Sequence, residues 1–172
     1  AYFEYVDDPN YPDTLAYVRE GRRCAVLRTF SKAYGLAGLR IGYGVAPVDI
    51  TNALKQVREP FNVASVAQAA ALAALRDVEH VERCIAVNRE GRDFLCTRFE
   101  EMGLQYVPTQ ANFIFVDVGM DSVECFDQLM RRGVTVRTGD IFGLPTFIRV
   151  TIGTEEQNSI FITALSEVLA SR

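Results

Sequence analysis

The sequence predicts an α/β fold built in two parts, and three observations carry the prediction. Apolar, strand-like runs alternate with helix-patterned segments along the chain. Glycine and proline punctuate the joins between them. The texture also changes past Gly103, where short alternating strands and compact amphipathic helices take over. Residues 1–77 read as the first part and 78–172 as a smaller α+β part that includes the connecting helix. At 172 residues, 49% hydrophobic and 23% charged, the chain has the apolar content to bury a core rather than remain disordered.

The elements follow in order. AYFEYV is an apolar, strand-like start. TLAYVREG (14–21) is helix-patterned, with Asp13 as cap and Gly21 as stop. CAVLRTF (24–30) reads as a buried strand and IGYGVA (41–46) as a second. A helix over 48–57 must end before Pro60. The segment 65–76 is apolar almost all round, which predicts burial within the domain or in a subunit interface. A longer helix over 78–102 puts Val81, Ile85, Leu95 and Phe99 inward and stops at Gly103. NFIFVDV (112–118) is a strand, SVECFDQLMRRG (122–133) a helix, VTVR (134–137) a strand and FIRVTIG (147–153) another. TEEQNSIFITALSEVLASR (154–172) is a closing helix whose Thr154 and Gln157 match a capping box.

Several function classes are disfavoured. A net charge of −4 argues against a nucleic-acid or anionic-membrane surface. The apolar run SVAQAAALAAL is too short to span a bilayer. Cys24, Cys84, Cys96 and Cys125 lack CxxC spacing, which favours a reducing cytoplasm and small core thiols without a base nearby in sequence. The single histidine, His80, reads as a solvated residue of a charged helix start, so no metal site is expected.

RTFSKAYGLAGLRIGYG (28–44) holds the chemistry. A lysine amine such as that of Lys32 can condense with an aldehyde when its pKa is lowered. Arg40 can hold a phosphate bidentately, and Thr29 and Ser31 add hydroxyls. An aldehyde and a phosphate on one ligand describe pyridoxal 5'-phosphate (PLP). By residue type alone, a solvated lysine and a surface arginine explain the stretch as well.

S-K-A-Y-G-L-A-G-L-R-I-G-Y-G resembles the PLP-lysine signature of fold-type I, class II aminotransferases. R-T-F-S-K-A-Y-G-L-A-G-L-R-I-G-Y is similar, more narrowly, to the histidinol-phosphate aminotransferase family. The likeness continues through residues 57–75, 110–118 and 143–154. It implies the C-terminal part of an aspartate-aminotransferase-like large domain, plus a smaller α+β C-terminal domain. It also implies that Lys32 is the Schiff-base lysine and the acid–base that moves the substrate's Cα proton. Arg40, Ser31 and Thr29 would bind the cofactor phosphate, and Tyr2 its phenolic oxygen. Arg149 would hold the substrate's anionic group and Arg137 its phosphate. An ion pair for Arg149 and an exposed strand end for Arg137 remain alternatives. Asn62 reads as a backbone-shaping residue.

The resemblance further implies transfer of the amino group of L-histidinol phosphate to 2-oxoglutarate, in histidine biosynthesis, by a cytoplasmic homodimer. The D-x-A-Y motif starts here at its third residue, Ala1, so the chain is expected to be a C-terminal fragment, inactive by itself. An aromatic-amino-acid aminotransferase, a threonine-phosphate decarboxylase and a PLP-sensing regulator domain are the rival expectations.

Overall fold

The computed structural model describes residues 1–171 and divides into two compact units, Ala1–Cys84 and Ile85–Arg172. In the first unit a 3-10 helix, Phe3–Tyr5, is followed by α1 (Thr14–Arg19), β1 (Val26–Thr29), a second 3-10 turn (Ala37–Leu39), β2 (Gly42–Val45), α2 (Val48–Val57) and α3 (Ser65–Ala74). The expected strand at the start is therefore a helical turn. It buries Tyr5, whose hydroxyl is pushed up to about 12 by burial first and by the nearby Cys84 thiol second. Asp13 caps α1 by accepting the Leu15 N–H, as its position predicts.

The strands β1 and β2 pair antiparallel, Val26 opposite Val45 and Thr29 opposite Gly42. Burial here falls short of expectation: Leu27 is exposed, and no residue of β2 is buried. On α3 only Ala67 and Ala71 are buried, while Val66, Leu72 and Leu75 stand exposed. The all-round apolar pattern of 65–76 thus leaves most of its surface open in this chain.

The helix α4 (Val78–Glu101) runs across the division. The second unit then contains β3 (Gln105–Val107), β4 (Phe113–Asp117), α5 (Ser122–Met130), β5 (Arg137–Thr138), a 3-10 turn (Asp140–Phe142), β6 (Phe147–Thr151) and α6 (Glu155–Ala170). Its sheet is antiparallel in the order β3-β4-β6-β5. The strand expected over 134–137 shrinks to Arg137–Thr138, and β3 is an unexpected edge strand. Thr154 and Gln157 form the capping box of α6, and the last residue of the expected helix, Arg172, lies outside the described residues. Among the described residues no helix is long and apolar enough to cross a membrane.

Alternation on β4 and β6 separates two faces. Ile114, Val116, Ile148 and Val150 are buried and meet Leu95 and Phe99 of α4, Leu129 of α5 and Phe161 and Leu165 of α6. Phe113, Phe115, Phe147 and Arg149 occupy the other face, each half-buried.

One close approach pins α4 within this unit. Gly91 is buried, and a Cβ built there would lie 2.7 Å from Asn158 Nδ2, 2.7 Å from Ile152 Cγ2 and 3.1 Å from the Gly153 carbonyl oxygen. Asn158 cannot yield easily, because it accepts from the Gly153 N–H and donates to the Gly153 carbonyl. Gly91→Ala should therefore lower stability by about 1–3 kcal/mol despite alanine's better helix propensity. Urea unfolding of the two forms checks it, and an unchanged or raised midpoint contradicts the close packing.

Candidate functional site

The strand β1 delivers the chain to Lys32 through a tightly held loop. Phe30 and Ala33 are buried on either side of it, and Phe30 packs on the Tyr34 and Tyr43 rings, with centroids 5.0 and 5.8 Å away. The Gly35 N–H donates to the Lys32 carbonyl at 2.8 Å, and the Leu36 N–H to the Phe30 carbonyl at 2.9 Å. Gly35 has φ of 71°, a turn conformation that a side chain disfavours. Burial raises the Tyr34 hydroxyl pKa. Lys32 itself is exposed, with its Nζ 5.2 Å from the centroid of the Tyr2 ring. The Thr29 hydroxyl accepts from the Ser31 N–H at 3.1 Å.

Tyr2, Thr29, Ser31 and Lys32 are thus brought together or linked by hydrogen bonds. Arg40 follows on the same loop in the left-handed region, φ 52°, which is costly for a residue with a Cβ. Its Nη1 donates to the Ala37 carbonyl at 2.8 Å, and the side chain is otherwise exposed. Asn62 is exposed and follows Phe61, which also has a left-handed φ, 56°.

Two features of this unit escaped the sequence reading. Arg28 is buried, with its guanidinium carbon 3.6 Å from the Phe3 ring centroid and Nη2 donating to the Thr14 hydroxyl at 3.4 Å. An arginine inside an apolar strand is the signal that could have found it. His80 is half-buried rather than solvated, and its Nε2 lies 3.5 Å from Cys84 Sγ. The i, i+4 spacing on one helix face could have revealed that contact.

In the second unit Arg137 stands opposite Arg149 in the β5–β6 ladder, and Phe115 stands opposite Arg149 in the β4–β6 ladder. Arg149 Nε is buried without a hydrogen-bond partner among the described residues. Neither arginine forms a salt bridge among them, so the ion-pair alternative for Arg149 has no carboxylate to support it. An apolar pocket lined by Val107, Pro108, Thr109, Phe113, Phe115, Phe142 and Leu144 opens on this part of the sheet. Arg137 and Arg149 put donors and positive charge on the sheet face that also carries Phe113 and Phe115, a combination that suits an anionic group on a partly apolar molecule.

The model of the family Aminotransferase class I and II matches residues 1–165. A histidinol-phosphate aminotransferase of Moorella thermoacetica is 61% identical over 171 residues, covering 99% of this chain and 44% of that protein. One from Caldicellulosiruptor saccharolyticus is 52% identical over 169 residues, covering 98% and 47%. The chain thus spans about half the length of the curated relatives it matches. The crystal structure of histidinol-phosphate aminotransferase from Sinorhizobium meliloti in complex with pyridoxal-5'-phosphate superposes with a TM-score of 0.87 at 30% identity, covering 99% of this chain and 47% of that one. By sequence across both units, and by a backbone shared with solved members, this chain belongs to the class I and II aminotransferase family.

Proposed function

We propose that the chain carries the lysine-bearing part of a PLP-dependent aminotransferase that passes the amino group of L-histidinol phosphate to 2-oxoglutarate. The observation that carries the substrate reading is Arg149, whose buried Nε lacks a partner beside a second arginine, Arg137. The names of the relatives support the same donor. In this reading residues 1–77 are the remainder of the cofactor-binding large domain and 78–172 the small domain. A homodimer is supported by the exposed apolar side chains of α3, and a cytoplasmic location by four free cysteines.

The residues fit the cofactor by their donor chemistry. Lys32 offers an exposed amine with no acidic partner among the described residues, next to the Tyr2 ring. Arg40 spends one donor on Ala37 and keeps the rest of its guanidinium for a phosphate, and Thr29 and Ser31 of the same loop add hydroxyls. When bound, PLP supplies an aldehyde that captures the donor's amine and a ring that accepts the electron pair released at Cα. Lys32 Nζ would supply the amine that condenses with the aldehyde and would then act as the acid–base that carries the substrate's Cα proton. The Tyr2 hydroxyl orients the ring through its phenolic oxygen. Arg40, Ser31 and Thr29 anchor the phosphate, so that the transferred proton travels a short, fixed path. Arg149 and Arg137 bind the donor's phosphate.

Two outcomes are expected of the PLP-loaded enzyme. Borohydride reduction followed by peptide mass spectrometry should place the cofactor's mass on the Lys32 peptide. Lys32→Ala should remove that adduct and lower kcat at least about 100-fold; a label on another lysine overturns the role. Arg149→Ala should raise KM for L-histidinol phosphate roughly ten- to hundred-fold with a smaller effect on kcat. A variant that instead keeps its KM, while transamination of phenylalanine proceeds faster than that of histidinol phosphate, would move the assignment to an aromatic donor.

A further inference from the structure

The arginines of the second unit are held in an unusual way. Arg137 and Arg149 stand in direct cross-strand register, where like charges repel. No carboxylate compensates either of them among the described residues. Each guanidinium instead lies against a ring, with Arg149 Cζ 4.9 Å from the Phe113 centroid and Arg137 Cζ 5.5 Å from the Phe142 centroid. Phe142 comes from the 3-10 turn outside the sheet and meets Phe115 edge to face, with centroids 5.5 Å apart and planes at 78°. It remains 50% exposed, so core packing does not explain its place.

The difference between a carboxylate and a ring as partner is chemical. A carboxylate neutralises a guanidinium and occupies its in-plane N–H donors. A ring attracts the cation through its negative face and leaves both the charge and those donors available. Two arginines seated in this way carry two positive charges that no carboxylate of the described residues offsets.

We propose that Phe113 and Phe142 are positioning residues that hold Arg149 and Arg137 against rings so that both guanidiniums stay free of a carboxylate partner and available to the substrate's anionic group. This rests on the reading of the two arginines as the substrate's anion site. Phe142 lies against Arg137 and meets Phe115 from outside the sheet, which makes it the cleaner position to change.

The test uses the whole 172-residue chain with inorganic phosphate as the probe, following the backbone amide resonance of residue 149 by NMR. In the unaltered chain that resonance should move as phosphate is added. Phe142→Leu, which keeps the apolar contact but lacks the ring, should weaken phosphate binding about five-fold, and Phe142→Tyr should restore it. The backbone amide spectrum of each variant should stay native-like. If Phe142→Leu binds phosphate as the unaltered chain does while Arg149→Ala does not bind it, the positioning role is wrong and the anion site stands. A loss that Phe142→Tyr fails to recover also overturns the proposal, because packing and not the ring's charge distribution is then responsible. If Arg149→Ala binds phosphate undiminished, the anion site and the positioning role fall together.

Discussion

The ladder between β4 and β6 decides what each face of the second unit can be. Five opposed pairs, from Phe113–Thr151 to Asp117–Phe147, fix the register. Side chains alternate with a period of two, so that register sends Ile114, Val116, Ile148 and Val150 to the helices and Phe113, Phe115 and Arg149 to the opposite side. A slip by one residue would drive a guanidinium into the apolar layer, where it has no partner, and bring isoleucines onto the face that carries the two arginines. The core and the candidate site are therefore one decision. The contact of Gly91 with Ile152 and Gly153 supports it, because it clamps α4 to the segment leaving β6.

Much of this was legible where the signal is local. The Asp13 cap, the Thr154–Gln157 capping box and the alternation in NFIFVDV each use residues a few positions apart, and each appears in the structure. The glycine at 103, with φ 69°, ends α4 region as its sequence position suggests. Elements that depend on distant partners were not legible. The strand β3 is three residues long, and only pairing with β4 makes it a strand. The opening AYFEYV has strand-like composition, yet burial of Tyr5 and closure of a 3-10 turn outweigh that propensity.

The site divides in the same way. The lysine motif is contiguous, so Lys32, Ser31, Thr29 and Arg40 could be named from sequence; the left-handed backbone at Arg40 could not. Arg137 and Arg149 could be named by resemblance, but their direct opposition depends on strand pairing, and their rings come from β4 and a separate turn. Arg28 lies inside the same motif, but its role is not legible there because its partners, Phe3 and Thr14, lie more than a dozen residues upstream.

A chain of net charge −4 that keeps two uncompensated guanidiniums side by side has an uneven electrostatic field. Anions are drawn to that pair on the sheet, so the local field itself guides their approach. At physiological ionic strength that guidance reaches only about 8 Å before counter-ions screen it. Salt would therefore slow the arrival of a phosphorylated ligand more than that of a neutral one, and discrimination between them would begin before contact.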